Sequence, residues 1–472
     1  MLNKALLSLP VVELAKLIQD RSISSVGLTQ LVLQHAQDYN TEINAYISFR
    51  ADKALAEAAQ ADAEIAQGNY KGTFHGIPMG IKDNIYIGGE VTTMASKIHA
   101  NFVANDDATV ISKLKAAGAI IIGKLNMHEY AWGVSNNNPH FGPCHNPWNL
   151  DKIPGGSSGG SGASVASGMS TITLGTDTAG SIRIPSSACG LVGLKPTHGL
   201  VAKYGCFPLA WTLDHIGPMA KTVSDAAAML KVIAGFDERD PTSKRVEIPD
   251  YVALLDSEVK GKVIGINEDY FFHQVDAPIE KLVRGQLDLL EQRGAIIKKV
   301  TIPALRNAEY AVLATSLPEA STIHHDDLQQ RPDDFGDDIR LLFELGELPT
   351  AVEYLQAQQL RRELKQQFSE IFKEVDVLIA PTLPILPPNI GSSVVKLNGE
   401  EVDLLNHIIR FTGPSNLTGL PALSIPCGLV EGQPVGLQII GPAFQEQKVF
   451  NIALAVEEQV KFNYQQPVLD RI

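Results

Sequence analysis

Cysteine is scarce in this chain, which has four in 472 residues. They are Cys144, Cys189, Cys206 and Cys427, and no two of them have C-x-x-C spacing. This scatter argues against a disulfide framework, a cysteine zinc site and a redox pair. We therefore expect reduced, partly buried thiols and a cytoplasmic location.

Positive charge and long apolar runs are also lacking. Lys and Arg number 39 against 53 Asp and Glu, which gives a formal net charge of −14, and no basic run stands out. We therefore expect no direct contact with nucleic acid. No apolar run reaches membrane-spanning length, and Pro10 and Glu13 interrupt the first one. The N-terminus is thus predicted to form an amphipathic helix, and no membrane contact is expected.

Helix and strand patterns alternate along most of the chain. The first 70 residues follow helical patterns, and an apolar run from Gly76 then opens a strand-rich region. From Lys262, "KVIGI", "IEKLVRGQLDLLEQRG" and "AIIKKVTIP" predict a strand, a helix and a strand. Strand patterns occur both before and after a mostly helical stretch, residues 308–374, which indicates one large mixed-sheet α/β domain.

Two stretches rich in glycine and serine lie close together, "PGGSSGGSGASVASG" at 154–168 and "GTDTAGSIR" at 175–183. Such a composition is typical of a flexible linker. The first stretch, however, runs directly into an apolar pattern that predicts a buried helix and a strand. We therefore place both stretches inside a folded domain.

Two common motifs match this region only by composition. Residues 118–124 fit the phosphate-loop pattern G-x-x-x-x-G-K, but Leu125 stands where the magnesium-binding Ser or Thr is required. Gly155, Ser157 and Gly159 fit the nucleophile pattern G-x-S-x-G, but a proline-rich loop precedes them instead of the strand that this turn requires. Neither motif explains the two stretches.

A more specific interpretation takes three segments together. "GIPMGIKDN", "PGGSSGGSGASVA" and "GTDTAGSIRIPSSACGLVGLKPTHG" resemble the amidase signature family, and "GKLNMHEYAWG", "LDHIGPMAKTVSDAA" and "NLTGLPALSIP" resemble further blocks of it, in order. The resemblance spans about residue 20 to 460. It implies a single α/β/α sandwich whose central mixed, twisted β-sheet is flanked by helices, with no metal or organic cofactor.

The resemblance also suggests how the chain is divided. It implies one domain over residues 1–472, with an N-terminal helical segment at 1–70, a catalytic core at 71–240, a helical flank or lid at 308–374, and C-terminal strands completing the sheet at 375–472.

The family uses two serines and a lysine. Carried over, the resemblance implies that Ser181 is the nucleophile, that Ser157 in a cis peptide relays the proton, and that Lys82 is the base; Ser158 is the alternative relay. A lysine can accept a proton only when it is neutral, so burial must lower its pKa from about 10.4 toward neutrality. The apolar residues around Lys82 suit that requirement.

Further roles follow from the same resemblance. Backbone amides of the second stretch are expected to stabilise the oxyanion: Thr178, Ala179, Gly180 and Ser181. Three polar residues are expected to hold the loops by hydrogen bonds: Thr176, Asp177 and Arg183.

The implied activity is hydrolysis of a linear carboxylic amide, at a C–N bond other than a peptide bond, through an acyl-enzyme. The alternative is the glutamine-hydrolysing component of a glutamyl-tRNA amidotransferase, which belongs to the same family. Ile184, His128 and Ile409 stand where those components carry Gln, Asp and Asp. We therefore prefer a stand-alone amidase whose substrate is an amide of an uncharged aromatic or aliphatic acid; a homodimer is left open.

Candidate residues for an apolar acyl pocket lie next to the family's blocks: Tyr130, Trp132, Tyr204, Phe207, Trp211 and Ile409. Four histidines could suggest a Ser-His-Asp triad, with Asp214 beside the last of them. Because Lys82 accounts for the base, we interpret these histidines as structural hydrogen-bonding residues: His128, His140, His145 and His215.

Overall fold

Eleven strands form one mixed sheet in the computed structural model of the protein, which describes residues 3–463. The strands of the chain are β1 (Tyr46–Phe49), β2 (Pro78–Lys82), β3 (Ile120–Leu125), β4 (Thr173–Asp177), β5 (Val192–Lys195), β6 (His215–Ala220), β7 (Val263–Ile266), β8 (Ile296–Lys299), β9 (Val377–Pro381), β10 (Val394–Leu397), β11 (Glu400–Asp403), β12 (Ala422–Val430) and β13 (Gln433–Ile440). Of these, β10 and β11 form a separate antiparallel pair.

Helices flank this sheet. They are α1 (Val11–Gln19), α2 (Ser25–Ile43), α3 (Ala51–Ala66), α4 (Thr109–Ala116), α5 (Gly159–Ala166), α6 (Arg183–Cys189), α7 (Val223–Ile233), α8 (Glu268–Phe271), α9 (Ala277–Gln292), α10 (Ala308–Gln330), α11 (Asp337–Gly346), α12 (Ala351–Ile371), α13 (Leu404–Ile409), α14 (Gly413–Thr418) and α15 (Glu446–Val460). The predicted α/β architecture with a large central mixed sheet is confirmed.

The strand order is β1-β3-β2-β4-β6-β5-β12-β13-β9-β7-β8. Strand β2 pairs in parallel with both β3 and β4, and β7 pairs in parallel with β8 and β9, whereas the strands between these groups pair antiparallel. The C-terminal hairpin β12–β13 therefore lies in the middle of the sheet, between β5 and β9. The parallel arrangement of β2 and β4 brings the carboxyl ends of both strands to one edge of the sheet, where polar residues can meet.

The N-terminal segment differs from its prediction at one place. Helix α1 begins and ends close to the predicted amphipathic helix, but Tyr46–Phe49 form a strand that pairs antiparallel with β3. Four residues are too few to show a strand period, and it is the pairing with β3 that makes this segment extended.

Helices α10, α11 and α12 form the mostly helical stretch that the sequence predicts. Helix α10 packs against α11, α12 and α14. A second, smaller hydrophobic cluster lies in this part of the molecule and includes Tyr130, Phe335, Ile339 and Phe343. In the part of the chain that is described, no helix has the length and apolar character needed to span a bilayer.

Candidate active site

Lys82 is the last residue of β2, and its side chain is completely buried. Its Nζ donates hydrogen bonds to Ser157 Oγ at 2.7 Å, Ser158 Oγ at 2.8 Å and Thr176 Oγ1 at 2.8 Å. Thr176 comes from the neighbouring parallel strand β4, and the two serines immediately precede α5. We call these four residues the hydroxyl cluster.

Burial changes the acid-base behaviour of Lys82. Loss of hydration lowers the pKa of the amine to about 7, although the acidic groups of Cys206, Asp177 and Asp214 act in the opposite direction. No carboxylate lies among the hydrogen-bond partners of Nζ, which are all hydroxyls. A substantial fraction of this lysine is therefore neutral near pH 7 and able to accept a proton.

The two neighbouring serines differ in what their hydroxyl groups contact. Ser158 Oγ donates to the carbonyl oxygen of Thr176 at 3.1 Å and accepts from the Thr176 amide at 3.2 Å. Ser157 Oγ makes no hydrogen bond within residues 3–463 besides that with Lys82. The proton of Ser158 is therefore already committed to a backbone carbonyl, whereas the proton of Ser157 can be exchanged with Lys82.

The backbone before Ser157 has an unusual shape that the glycines permit. The Gly156-Ser157 peptide bond is cis, and Gly155 has φ +78°. A Cβ on Gly156 would lie 2.9 Å from backbone atoms of Val134 and Asn136. A side chain at either glycine would force this loop to move, so glycine is required for the tight approach.

Ser181 follows β4 across a tight loop and lines a cavity together with Thr178 and Ala179. The hydroxyl of Ser181 makes no hydrogen bond within the described part of the chain, and the residue is 8% exposed. Its proposed nucleophilic oxygen is thus not already bound to another protein group. We call this space the Ser181 cavity.

The amides expected to form the oxyanion hole are not equivalent. The Gly180 amide donates to Asp177 Oδ1 at 2.8 Å and the Ile182 amide to Asp177 Oδ2 at 3.2 Å. The Gly180 amide therefore binds the carboxylate at the end of β4 and is not free to bind an oxyanion in the cavity, which corrects its predicted role. The amides of Thr178, Ala179 and Ser181 have no acceptor among the described residues and remain available.

Arg183 fixes the loop after β4 through an ion pair and several hydrogen bonds. Its completely buried guanidinium forms a bidentate ion pair with Asp177, with distances of 3.0 Å and 2.9 Å. The same group donates to the carbonyl oxygen of Thr412 and to side chains of α14 and β13: Ser415, Asn416 and Gln438. Although burial acts to raise it, the charge of Arg183 keeps the pKa of Asp177 below its usual value.

Two of the six predicted pocket residues line the Ser181 cavity, Trp132 and Ile409. Tyr130 and Phe207 instead belong to an aromatic cluster with His324, their ring centroids 4.2 Å and 5.7 Å from its own. The hydroxyl group of Tyr130 lies 2.6 Å from His99 Nδ1, so its ring belongs to this cluster and not to the cavity wall.

The two other aromatic candidates lie elsewhere. Tyr204 and Trp211 line a different cavity, together with Lys203 and Arg239. Trp211 is 42% exposed, so it does not form a buried wall. Their closeness in sequence to the family's blocks suggests the acyl pocket, but the loop that they occupy lies outside the Ser181 cavity.

Sequence reasoning missed most of the cavity wall. The missed residues are Ala131, Gly133, Val134, Leu209, Val312, Leu313, Ser316, Leu342 and Leu405. Several come from α10, α11 and α13, far from the family's blocks in sequence. Apolar residues on those helices follow the same pattern as ordinary core residues, so no signal in the sequence marks them as a wall.

The histidines are engaged outside the Ser181 cavity. His215 Nδ1 lies 3.3 Å from the Asp177 carbonyl oxygen, and its Nε2 lies 3.3 Å from Lys195 Nζ. The neighbouring carboxylate of Asp214 accepts instead from Thr178 Oγ1 at 2.6 Å. No group of three His, Cys, Asp or Glu side chains in residues 3–463 is arranged to hold a metal ion.

The chain resembles proteins of known class along nearly its whole length. A family model described as Amidase matches residues 27–450. The A component of the glutamyl-tRNA(Gln) amidotransferase of Geobacillus thermodenitrificans (strain NG80-2) is 39% identical, over 97% of this chain and 99% of the relative.

Solved structures extend this likeness to the fold. One comes from work on a vestigial protein complex and the evolutionary origins of an s-triazine catabolic enzyme; its TM-score is 0.92 at 32% identity, over 96% of this chain and 98% of the other. A bacterial aryl acylamidase of the amidase signature enzymes has a TM-score of 0.90 at 27% identity, over 97% and 98%.

Proposed function

Because the chain belongs to the Amidase family, we propose that it is a stand-alone amidase that cleaves the C–N bond of a linear carboxylic amide, with Ser181 as nucleophile. The observation that carries this proposal is the contact of 2.7 Å between buried Lys82 and Ser157. It supplies a base of lowered pKa and a hydroxyl that can relay protons next to the loop of Ser181.

In the proposed first half-reaction, Ser181 Oγ attacks the amide carbon while its proton passes to Ser157 and the Ser157 proton passes to Lys82. The amides of Thr178, Ala179 and Ser181 are the donors left to stabilise the oxyanion, and each such donor contributes about 3 to 4 kcal/mol in comparable enzymes. When the tetrahedral intermediate collapses, the C–N bond breaks. As this bond breaks the nitrogen gains the Ser157 proton and leaves as ammonia or an amine, and Lys82 returns its proton to Ser157.

In the second half-reaction, water attacks the Ser181 ester. Ser157 and Lys82 take the water proton by the same route and return it to Ser181 Oγ as the carboxylic acid leaves. Thr176, Ser158, Asp177 and Arg183 position these groups and exchange no proton with the substrate. The net reaction consumes one water and one amide, and no metal or organic cofactor takes part in the proposed steps.

A second function is favoured by a separate observation. The relative from Geobacillus thermodenitrificans, 39% identical over 97% of this chain, is a component of a glutamyl-tRNA(Gln) amidotransferase. On that alternative the same residues would release ammonia from glutamine within a complex of several proteins. The chemistry at Ser181 is identical, so the two functions differ only in the acyl group and in the partner.

The experiment is a measurement of ammonia or amine release from purified protein with aryl amides, aliphatic amides, anilides, ureas and glutamine. Ser181→Ala is the matched control. Turnover of an amide that is abolished in the variant supports hydrolysis through Ser181, whereas equal turnover by both proteins contradicts it. Turnover of glutamine alone, or only after partner proteins are added, moves the assignment to the amidotransferase function.

The assembly and location remain predictions. A homodimer is tested by light scattering of the purified chain, in which a mass near the 50.9 kDa of one chain contradicts it. The cytoplasmic location is tested by cell fractionation.

A further inference from the structure

We propose that His128 is a positioning residue for the reaction: its imidazole ring holds Asp338 in the first turn of α11, while its main-chain amide holds Ser157. The position of α11 beside the active site and the position of Ser157 next to Lys82 then depend on the same residue. This inference rests on the hydrolase activity proposed above and adds to it a residue that exchanges no proton.

The main chain of His128 contacts Ser157 directly. Strand β3 ends at Leu125, whose register partner in β2 is Lys82, and His128 follows three residues later. The amide of His128 donates a hydrogen bond to the carbonyl oxygen of Ser157 at 3.0 Å. Ser157 is therefore held at two points, by Lys82 at its hydroxyl group and by His128 at its carbonyl group.

The imidazole ring supports the same serine through a loop. A Cβ on Gly133 would lie 2.3 to 2.5 Å from atoms of the His128 ring, and a Cβ on Gly156 would lie 2.9 to 3.0 Å from backbone atoms of residues 134–136. The loop of residues 133–136 is therefore packed between the ring and the Gly156-Ser157 peptide. Because protein interiors are close-packed, a displaced ring would displace this loop and with it the peptide.

The outer end of the ring binds α11. His128 Nε2 lies 2.9 Å from Asp338 Oδ2, and Nε2 is the donor because an ionised carboxylate can only accept. The other ring nitrogen, Nδ1, makes only a long contact of 3.5 Å with Ser135 Oγ. The His128 side chain is 4% exposed and that of Asp338 is 54% exposed. Asp338 therefore provides the main polar contact of this buried ring among the described residues.

A neighbouring contact fastens the same end of α11. Glu129 Oε2 accepts the Gly336 amide at 2.9 Å, and Glu129 is completely buried. Helix α11 begins at the residue after Gly336, so the contacts made by residues 128 and 129 fall on either side of its first residue. The same helix supplies Leu342 to the cavity wall. These two contacts therefore set where α11 lies beside the cavity.

His128 has no place in the proton relay itself. In the described part of the chain, neither of its ring nitrogens forms a hydrogen bond with Lys82, Ser157 Oγ or Ser181. Its loss should therefore slow the chemical step by displacing Ser157 and should affect the binding of substrate less.

Two pairs of variants separate the hydrogen bond from the rest of the side chain. His128→Leu removes the donor to Asp338, whereas His128→Gln keeps an amide N–H that can donate. Asp338→Ala removes the acceptor, and Asp338→Asn keeps one. Asp337→Ala is the matched control, since Asp337 lies in the same turn, its side chain is 94% exposed, and it pairs with Arg340.

The first readout is the rate at which methanesulfonyl fluoride labels Ser181, because this rate does not depend on which amide is the substrate. Ser181 Oγ attacks the sulfur, the S–F bond breaks and fluoride leaves, while the Ser181 proton passes to Ser157 and the Ser157 proton to Lys82. The sulfonyl ester is detected by mass on the peptide that contains Ser181, with Ser181→Ala as control. The rate constant reports the placement of Ser157, and the final extent of labelling reports the fraction of folded chains.

We expect His128→Leu and Asp338→Ala to slow labelling about 10- to 100-fold, with labelling still going to completion, because small displacements of reacting groups cost rates of this order. For pentanamide, an uncharged linear amide, kcat should fall by the same factor with KM changed less than about threefold. His128→Gln and Asp338→Asn should slow labelling less than about fivefold, and Asp337→Ala less than about twofold. The double variant His128→Leu/Asp338→Ala should be no slower than the slower single variant, since both substitutions remove one contact.

Wild-type labelling rates in either His128→Leu or Asp338→Ala overturn the inference, and so do equal losses of rate in His128→Leu and His128→Gln. A lower final extent of labelling at an unchanged rate shows a merely structural role and also overturns it. If His128→Leu does not fold, the two Asp338 variants decide alone, since that side chain is half-exposed.

The labelling of the wild-type chain separates this failure from failure of the proposed function. Labelling at Ser181 that none of the variants slows overturns the positioning role alone. Absence of labelling together with absence of amide turnover in the wild-type chain overturns the hydrolase and this inference together.

Discussion

The hydroxyl cluster and the wall of the Ser181 cavity lie side by side but are built in different ways. Lys82, Ser157, Ser158 and Thr176 are joined by hydrogen bonds of 2.7 to 2.8 Å at the ends of two parallel strands. Much of the wall consists of apolar side chains from α10, α11 and α13, which are distant in sequence from the cluster. Directional contacts fix the positions of reacting groups, whereas apolar contacts depend mainly on shape and volume. Substitutions in the hydroxyl cluster should therefore abolish the reaction, whereas substitutions in the cavity wall should change the substrate preference by degrees.

The sharpest contrast is expected at Lys82. We expect Lys82→Ala to lower kcat by about 10³-fold or more, because within residues 3–463 no other base forms a hydrogen bond with Ser157 Oγ. Since the pKa of Lys82 is about 7, the neutral, active form dominates above that pH. In the wild-type enzyme kcat/KM should therefore rise with pH through about 7 and then level off. Steady-state rates from pH 5 to 10 check this, and a profile that is flat below pH 7 would contradict Lys82 as base.

A variant of Arg183 tests whether the buried polar contacts around the Ser181 loop also contribute strongly to the free energy of unfolding. Arg183→Met leaves buried Asp177 without its cation, so we expect a loss of about 3 to 5 kcal/mol in the free energy of unfolding. Arg340→Met is the matched control, since its partners Asp333 and Asp337 are 94% exposed, and it should cost less than about 1 kcal/mol. Urea denaturation measures both variants. Equal losses of unfolding free energy in the two variants would contradict a larger contribution from the buried ion pair.

Leu342 tests the apolar side. Leu342→Ala enlarges the cavity and removes apolar contact with the acyl group, so we expect kcat/KM for pentanamide to fall about tenfold, mainly through KM. Leu345 lies on the same helix but is 40% exposed and outside the cavity wall, which makes Leu345→Ala the control. Initial rates on both variants check this prediction. A tenfold fall in kcat at unchanged KM would place Leu342 with the reacting groups instead.

Trp211 should give the smallest effect. It is exposed and lines a different cavity, so Trp211→Ala is expected to leave kcat/KM for pentanamide within about twofold. Trp132→Ala, which alters the wall itself, should lower it clearly. If the Trp211 variant lost more activity than the Trp132 variant, the acyl group would bind in the other cavity, and the wall described here would be wrong.

The difference between the hydroxyl cluster and the cavity wall also explains which features could be predicted from the sequence. The mixed sheet and the β7-α9-β8 unit were predictable because alternating and helical periods are local properties of the chain. Lys82 and Ser157 are identified from contiguous segments that resemble a known family, and the structure places them in contact. Their catalytic roles remain predictions that the variants above test.

The cavity wall could not be predicted in the same way. Trp132 and Ile409 do line it, but Tyr130, only two residues from Trp132, packs against His324 in the aromatic cluster instead. Val312 and Leu342 are ordinary apolar positions of helices until tertiary packing brings them to Ser181. The engagement of the Gly180 amide with Asp177 likewise depends on a loop shape that composition does not reveal.

Arg183 links the nucleophile loop to residues that are translated much later. Its guanidinium binds Ser415, Asn416 and Gln438, and β12 pairs directly with β5 in the middle of the sheet. At ordinary elongation speeds, the ribosome needs roughly 10 to 50 seconds between residue 181 and residue 438. A nascent chain therefore contains Lys82, Ser157 and Ser181 long before it contains the partners that hold the loop of Ser181, so we expect no amide hydrolysis before β13 has left the ribosome.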